Sequence, residues 1–580
     1  MVAQAARPSF IDLYTPKLFT VLREGYGIDG LKADTLSGLT VAIVALPLSM
    51  AIAIASGVSP ERGLYASIFG GFIVSALGGS RFQIGGPAGA FIVLVAATGR
   101  TYGLDGLLLA TFLSGIFMML IGLLRIGTFI KYIPYPVTVG FTSGIAIIIF
   151  SSQIKDLLGL TLAVPEPGAL VPKLEVLWQA LPTFSLAAFC IAVASIAIIV
   201  ALRLTRPRWP GFLIAVVLTT LAAALLTLPA ETIGSRFGGI PQSLPLPHLP
   251  DLSWSRIMEV LPSALSFTLL GSIESLLSAV VADSMTGRRH RSNAELVAQG
   301  IANIVSSLFG GICVTGTIAR TATNVRAGAR GPVSGMLHSV FVLLFMLVAA
   351  PFASYIPLAA LAGILAVVCW NMAERRQFAT LLRSSWGDAI VLLVTFLLVV
   401  FRDLSEGIIA GFLIGTLLFV HRMAQTVAVE AQVPDFGEDV ADSAGNGARR
   451  PYDPATATDR DVVVYRITGA FFFGAAASVS AVLDRLGEHP KAYVVDFSAV
   501  PLVDSTAVAA VKSFAEKANR GRAAVFLSGA SPAIRKALLA HGVRPPLVEY
   551  RGDIGEALAA AHEAAASPAP PLAIVASGTH

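Results

Sequence analysis

Charge is what this sequence has least of: 13% of its 580 residues are Asp, Glu, Lys or Arg, against 55% hydrophobic residues. An ordinary soluble chain carries roughly 25% charged residues, and a 60.5 kDa particle this poor in charge cannot cover a water-facing surface. The shortage excludes a string of soluble domains, which the length alone would suggest at roughly 150 residues each. Cysteine is also scarce. Cys190, Cys313 and Cys369 all lie in apolar stretches without CxxC spacing, which excludes a disulfide framework and a thiolate metal site. No glycine-rich nucleotide loop, Ser-His-Asp arrangement or zinc cluster is visible, and the eight histidines are scattered, so we expect no catalysis, no metal and no cofactor. The amino terminus lacks a compact apolar run followed by a cleavage site, so no cleaved signal peptide is expected. What remains is apolar excess that must face lipid or pack inside a bundle in lipid: an integral membrane protein.

Fourteen segments can be read as spans or part-spans, since a complete helical span needs about 20 apolar residues. They are 35–60, 63–80, 84–99, 106–124, 132–154, 176–202, 209–230, 258–286, 296–319, 314–325, two within 331–373, 386–402 and 404–421. With an inside amino terminus, alternate loops carry the bases: Arg81, then Arg125 and Lys131, then Arg203, Arg206 and Arg208, then Arg288, Arg289 and Arg291. Arg326 and Arg330 continue the series, followed by Arg375, Arg376 and Arg383, while the intervening loops 156–175 and 231–259 mix acids with few bases. Basic inner loops set orientation, so the net charge of +5 reads as topology and not as affinity for nucleic acid.

Two segments, 84–99 and 314–325, are too short to cross as complete helices. Both follow glycine-rich lead-ins, Ile84-Gly85-Gly86-Pro87-Ala88-Gly89 and Gly310-Gly311-Ile312-Cys313-Val314-Thr315-Gly316, and they fall third and tenth in the count. Those are equivalent places in two seven-segment halves, and an odd number per half makes the repeat inverted. Paired interrupted segments point to a transport site at the midplane, because irregular backbone at that depth survives only where it lines a cavity. Two half-helix amino termini could meet there, offering free N–H groups and positive dipole ends.

After Arg422 the character changes. Residues 430–460 are polar and rich in Gly, Pro and Asp, as an exposed linker would be. Strand-like runs at Val462–Tyr465, Ala492–Val495 and Ala523–Phe526 then alternate with helical stretches near 474–487, 506–519 and 531–541, the pattern of a small α/β domain. The expected division is a cytosolic segment 1–33, a membrane domain 34–424, a linker 425–460, a cytosolic α/β domain 461–565 and a disordered tail 566–580.

Three stretches carry a resemblance. Pro60-Glu61-Arg62-Gly63-Leu64-Tyr65-Ala66-Ser67 with Gly78-Gly79-Ser80-Arg81, and Phe129-Ile130-Lys131-Tyr132-Ile133-Pro134-Tyr135-Pro136-Val137 with Gly140-Phe141-Thr142-Ser143-Gly144, resemble the SulP anion transporters, relatives of solute carrier family 26. The soluble part, with Asp496-Phe497-Ser498 and Val503-Asp504-Ser505-Thr506, resembles the STAS domain those proteins carry. The resemblance implies a seven-plus-seven inverted fold in which segments 1–4 and 8–11 form a substrate-holding core and 5–7 and 12–14 a gate. It further implies a homodimer in the bacterial cytoplasmic membrane with both termini cytosolic, moving a small inorganic or carboxylate anion by an elevator-like motion. Sulfate, bicarbonate and C4-dicarboxylates are the substrate candidates.

By the same resemblance Arg320 occupies the arginine position of the tenth segment. Thr315, Gly316, Thr317, Ile318 and Ala319 would supply backbone and wall, and Ala88, Gly89 and Ala90 would begin the third segment opposite. A permanently charged arginine at this depth should face a cavity or a partner. Ser49 would line the same pocket from the first segment. Glu274 is the lone carboxylate of the eighth segment, with Ser278 one turn along on the same face. In the family a carboxylate here is the candidate coupling residue. It could exchange a proton, or hold Na+ with hydroxyl and backbone oxygens as in a sodium-dependent bicarbonate relative; an ion pair with Arg320 is the purely structural alternative. Proton coupling is the expectation, because that sodium-dependent relative lacks an arginine equivalent to Arg320. Asp283 reads as an interfacial charge. Ser505 either belongs to a helix cap or is a regulatory phosphorylation site, as in same-fold bacterial signalling domains, through which a cytosolic partner could act.

Overall fold

A computed structural model describes residues 13–127, 133–164, 166–206, 209–402, 404–431, 461–483 and 490–566. The start of the cytosolic segment, motif residues 128–132, Arg208, most of the linker and tail residues 567–580 lie outside the described residues. The chain divides into two units, Met1–Gly415 and Thr416–His580.

The first unit is helical. A helix coincides with each segment read from the sequence: Ile28–Ala55 is the first, and the second runs from Pro60 to Leu77 through a π-helical turn at Ala66–Gly70. The third begins at Gly89 and continues into the fourth within Ile92–Leu123, the break between them falling at Gly103 with φ +70°. The fifth to eighth are Tyr135–Leu158, Leu186–Thr205, Gly211–Leu225 and Trp254–Thr286. Ser292–Leu308, Ile318–Arg326, Val333–Ala353, Leu358–Met372, Trp386–Phe401 and Leu404–Gln425 complete the series. Among the described residues, eight helices are long and apolar enough to cross a membrane, and the rest are short or broken.

The ninth segment departs from the expected 296–319. Its helix stops at Leu308, because Gly310 takes φ +70° and the next carbonyls and amides are captured by side chains. Asn303 does this twice: its amide donates to the Val314 carbonyl at 2.8 Å and its oxygen accepts from the Val314 N–H at 2.8 Å, replacing a neighbouring strand. Ser306 donates to the Ile312 carbonyl at 2.8 Å.

Helix pairing shows the repeat. The fourth segment packs on the ninth and the eleventh on the second; the first packs on the eleventh and the eighth on the fourth; the fifth packs on the thirteenth and the twelfth on the sixth. Each relation turns into its partner when segment n is exchanged for n+7. Where the fourth and ninth pack, a Cβ added to Gly115 or Gly300 would lie 2.5 Å from the other's carbonyl oxygen, so only glycine permits this approach. The same pairings sort segments 1–4 and 8–11 into one set and 5, 6, 12 and 13 into another.

The second unit is a five-stranded sheet in the order β3 (Ala428–Ala431), β4 (Val462–Thr468), β5 (Ala492–Asp496), β6 (Ala524–Ser528), β7 (Glu549–Arg551), numbered after the two short strands β1 (Gly85–Gly86) and β2 (Thr315–Gly316) of the first unit. All pairings are parallel except β3 on β4. Strand alternation divides the side chains: Tyr465, Tyr493 and Val495 face the helices Phe473–Leu483, Ser505–Arg520 and Pro532–Ala540, while Val462, Val494 and Phe526 pack on Ile554–Ala566. The edge strand β3 corrects the sequence reading, which placed 428–431 in the linker. Its backbone pairs with β4, although four residues, Ala-Val-Glu-Ala, are too short a run to announce a strand.

Candidate functional site

The two glycine-rich lead-ins meet. Gly85 pairs with Gly316 and Gly86 with Thr315 in an antiparallel junction, so the third and tenth helices leave it in opposite directions. The Thr317 N–H donates to the Ile84 carbonyl at 3.0 Å, and the Ile84 N–H donates to Thr321 Oγ1 at 3.2 Å. Gln83 fastens the junction to the eighth segment, its amide donating to the Ser275 carbonyl at 3.1 Å and to Ser275 Oγ at 3.0 Å. Neither helix start has a side-chain cap: Ala88 and Thr317 occupy the cap positions without a capping hydrogen bond. Each first turn therefore keeps free N–H groups and the positive end of its dipole.

Arg320, in the first turn of the tenth helix, is 1% exposed. Its Nη1 donates to Ser67 Oγ at 3.1 Å, and its Nη2 donates to Ser49 Oγ at 2.9 Å and to the Pro87 carbonyl at 3.4 Å. Nε has no partner. All three acceptors are neutral, and among the described residues no carboxylate pairs with the guanidinium. Gly86 forms another wall, since a Cβ there would collide with the Arg320 side chain. A buried charge normally needs a counter-charge or it destabilises the fold. Here it stands beside two positive helix ends, for a local charge of about +2 when each dipole end counts as roughly +0.5. The junction therefore carries positive charge that no described residue offsets.

Glu274 lies elsewhere on the eighth segment. It lines a small cavity with Ile273, Leu277, Val137, Thr138, Thr142 and Ile408, on the seam between the eighth segment and the fifth and fourteenth. It makes no hydrogen bond or ion pair with a described residue, so the structural pairing of Glu274 with Arg320 is not what the structure shows. Ser278 does not join Glu274 in a shared oxygen cage: its hydroxyl is 3.0 Å from Thr321 Oγ1 and serves the junction.

The remaining residues named from the sequence fall into two groups. Ala88, Ala90, Thr315, Gly316 and Thr317 are buried at the junction, with Thr315 Oγ1 donating to the Gly271 carbonyl at 3.1 Å. Gly89 is half-buried, a Cβ there meeting Ile149 at 3.7 Å and Met372 at 3.8 Å in ordinary contact, and Ile318 and Ala319 are exposed. Ser49 differs from its expected role: it is fully buried against Arg320 and does not line an open pocket. Ser67, Gln83, Asn303 and Thr321 were missed. Ser67 lies inside the family-like motif Pro60–Ser67, and nothing in the local sequence points it at Arg320.

Asp283 is more than an interfacial charge. Its Oδ2 is 2.7 Å from His290 Nδ1, and His290 Nε2 is 3.0 Å from Ser292 Oγ, a row that ties the loop between the eighth and ninth helices. In the second unit Asp504, not Ser505, caps the helix Ser505–Arg520, accepting from the Ala507 N–H at 2.8 Å and from the Phe473 N–H at 2.9 Å. Ser505 is exposed at the helix start.

Comparison with known proteins follows the same outline. The sulfate permease family matches residues 31–395, and the STAS domain matches residues 453–556. A putative sulfate transporter of Bacillus subtilis, YvdB, is 40% identical over 509 residues, 87% of this chain and 93% of its own. The bicarbonate transporter BicA of Synechocystis is 31% identical over 526 residues, 88% of this chain and 90% of its own. Among solved structures, the murine Slc26a9 anion transporter in its inward-facing state matches with a TM-score of 0.82 at 20% identity, over 97% of this chain and 96% of that one. At that identity the likeness speaks for the fold.

Proposed function

The chain belongs to the sulfate permease family, and from that premise we propose that it is a secondary active transporter that carries a small anion together with a proton. The observation that carries the reading is the buried, unpaired Arg320 beside two uncapped helix starts. Its charge of about +2 suits a dianion better than a monoanion. Sulfate therefore stands ahead of bicarbonate, and a C4-dicarboxylate shares its charge.

Proton coupling is supported by the surroundings of Glu274. Its cavity is lined almost entirely by apolar side chains and offers only two hydroxyl oxygens, those of Thr138 and Thr142. A hard cation needs a cage of several oxygen ligands, and Ser278, which could have joined one, is engaged with Thr321. A carboxylate on a seam between two helix sets has a simpler use: with an anion bound the core crosses the apolar wall only when Glu274 is neutral, and with the site empty the ionised Glu274 offsets the charge of Arg320, so the core returns without the proton. The segregation of helix pairings into two sets supports an elevator-like movement of core against gate. Residence in a bacterial cytoplasmic membrane with both termini inside, assembly as a homodimer and regulation through the STAS domain belong to the same proposal.

The test is uptake of labelled sulfate, bicarbonate, fumarate and succinate by proteoliposomes, with and without an inward proton gradient. The reading expects gradient-stimulated uptake, strongest for a dianion. Uptake driven by a Na+ gradient at constant pH would replace it with sodium coupling.

A further inference from the structure

We propose that Ser67, with Ser49, is a positioning residue of the anion site: the two hydroxyls seat Arg320 without neutralising it, so its whole charge is left for the transported anion. The inference rests on the transporter reading above and names what keeps its site positive.

Ser67 stands on the π-helical turn Ala66–Gly70 inside an otherwise α-helical second segment. Such turns are rare and recur at functional sites, because the extra residue re-aims side chains and frees carbonyls. Both effects are present. The Ser67 carbonyl accepts from Ser339 Oγ at 2.9 Å, and its hydroxyl meets Nη1 of Arg320 at 3.1 Å. From the first segment Ser49 Oγ donates to the Ala45 carbonyl at 2.6 Å, which spends its proton and leaves the oxygen to accept from Nη2 at 2.9 Å. The two hydroxyl oxygens are 2.9 Å apart, and both residues are fully buried. Together with Gly86 and the Pro87 carbonyl they enclose the guanidinium on surfaces from the first, second and third segments.

Chemistry makes serine the informative choice. A carboxylate at either place would hold the guanidinium more strongly, through charge-assisted bonds, and would cancel the charge. Alanine would leave buried N–H donors unpaired. A neutral acceptor alone fixes the geometry and keeps the sign. Ser67 and Ser49 therefore need not touch the anion at all to decide whether it binds.

The test compares isosteric substitutions that differ in charge, Ser67→Asp with Ser67→Asn and Ser49→Asp with Ser49→Asn, in the full-length protein. Sulfate and bicarbonate uptake are measured in proteoliposomes, and elution profile and melting temperature report folding. Both asparagines retain an acceptor, so they should lower uptake through their bulk but leave it measurable. Each aspartate should lie about a hundredfold or more below its asparagine twin, as expected for cancelling one charge near the anion at an effective dielectric of about 20. Ser67→Ala, the variant with least bulk, should raise KM several-fold with kcat largely kept. Equal losses for the Asp and Asn twins, or an unchanged KM in Ser67→Ala, would overturn the inference. A wild-type protein that moves no anion would instead fail the transporter reading beneath it.

Discussion

Replacing Glu274 by glutamine removes a charge and keeps a shape, and the structure says what that should do. The carboxylate faces a seam whose opposite wall is Val137, Thr138, Phe141, Thr142 and Ile408. An ionised side chain at a helix centre in an apolar surround costs about 3 kcal/mol, which suppresses the crossing population on the order of a hundredfold. In the wild type, uptake should therefore fall by up to about that factor as the pH rises and Glu274 ionises. Glu274→Gln presents the neutral shape at every pH. Exchange of external labelled sulfate for internal sulfate should persist and lose its pH dependence, and accumulation driven by a proton gradient should vanish. Proteoliposomes loaded with sulfate at matched and mismatched pH measure both quantities. A Glu274→Gln protein that still concentrates sulfate under a proton gradient would refute the reasoning.

Other consequences follow from single contacts. Asn303→Leu strips both hydrogen bonds from Val314, leaving a buried N–H and C=O at about 1–3 kcal/mol each; the melting temperature should drop and sulfate uptake should fall with it. Gly300→Leu drives a side chain into the Gly115 carbonyl and should destabilise the membrane unit by about 1–3 kcal/mol or more, read as loss of monodisperse protein after detergent extraction. Asp504→Ala removes the cap of the helix Ser505–Arg520 at about 0.5–2 kcal/mol, and hydrogen exchange in the full chain should show the first turn of that helix opening faster, with membrane helices unaffected.

Much of this architecture was legible because lipid imposes simple rules. The scarcity of charge, the alternating basic loops and the paired short segments led to a helical inverted repeat, and the helix boundaries lie close to the charge-free runs. The junction itself was half legible. The glycines of 85–86 and 315–316 announced broken helices, but that they pair with one another is a contact between residues about 230 positions apart, which no local pattern encodes. Arg320 was identifiable as an odd charge; its seat was not, because Ser49 and Ser67 are ordinary helix residues until a π turn aims one of them. Ser278 and Glu274 share a helix face by spacing, yet one turn of helix separates a hydroxyl engaged with Thr321 from a carboxylate at the seam. In the soluble unit the buried central strands were evident, whereas β3 and β7 were not, since an edge strand is defined by what it pairs with and not by its own apolar pattern.

The central claim is that the third and tenth segments hold an anion on the uncompensated charge of Arg320. Sulfate uptake into proteoliposomes by wild type and by Arg320→Gln, both verified as folded by elution profile and melting temperature, tests it most directly. The account predicts saturable uptake in the wild type and none above protein-free vesicles in Arg320→Gln. Saturable uptake by Arg320→Gln with wild-type KM would contradict it.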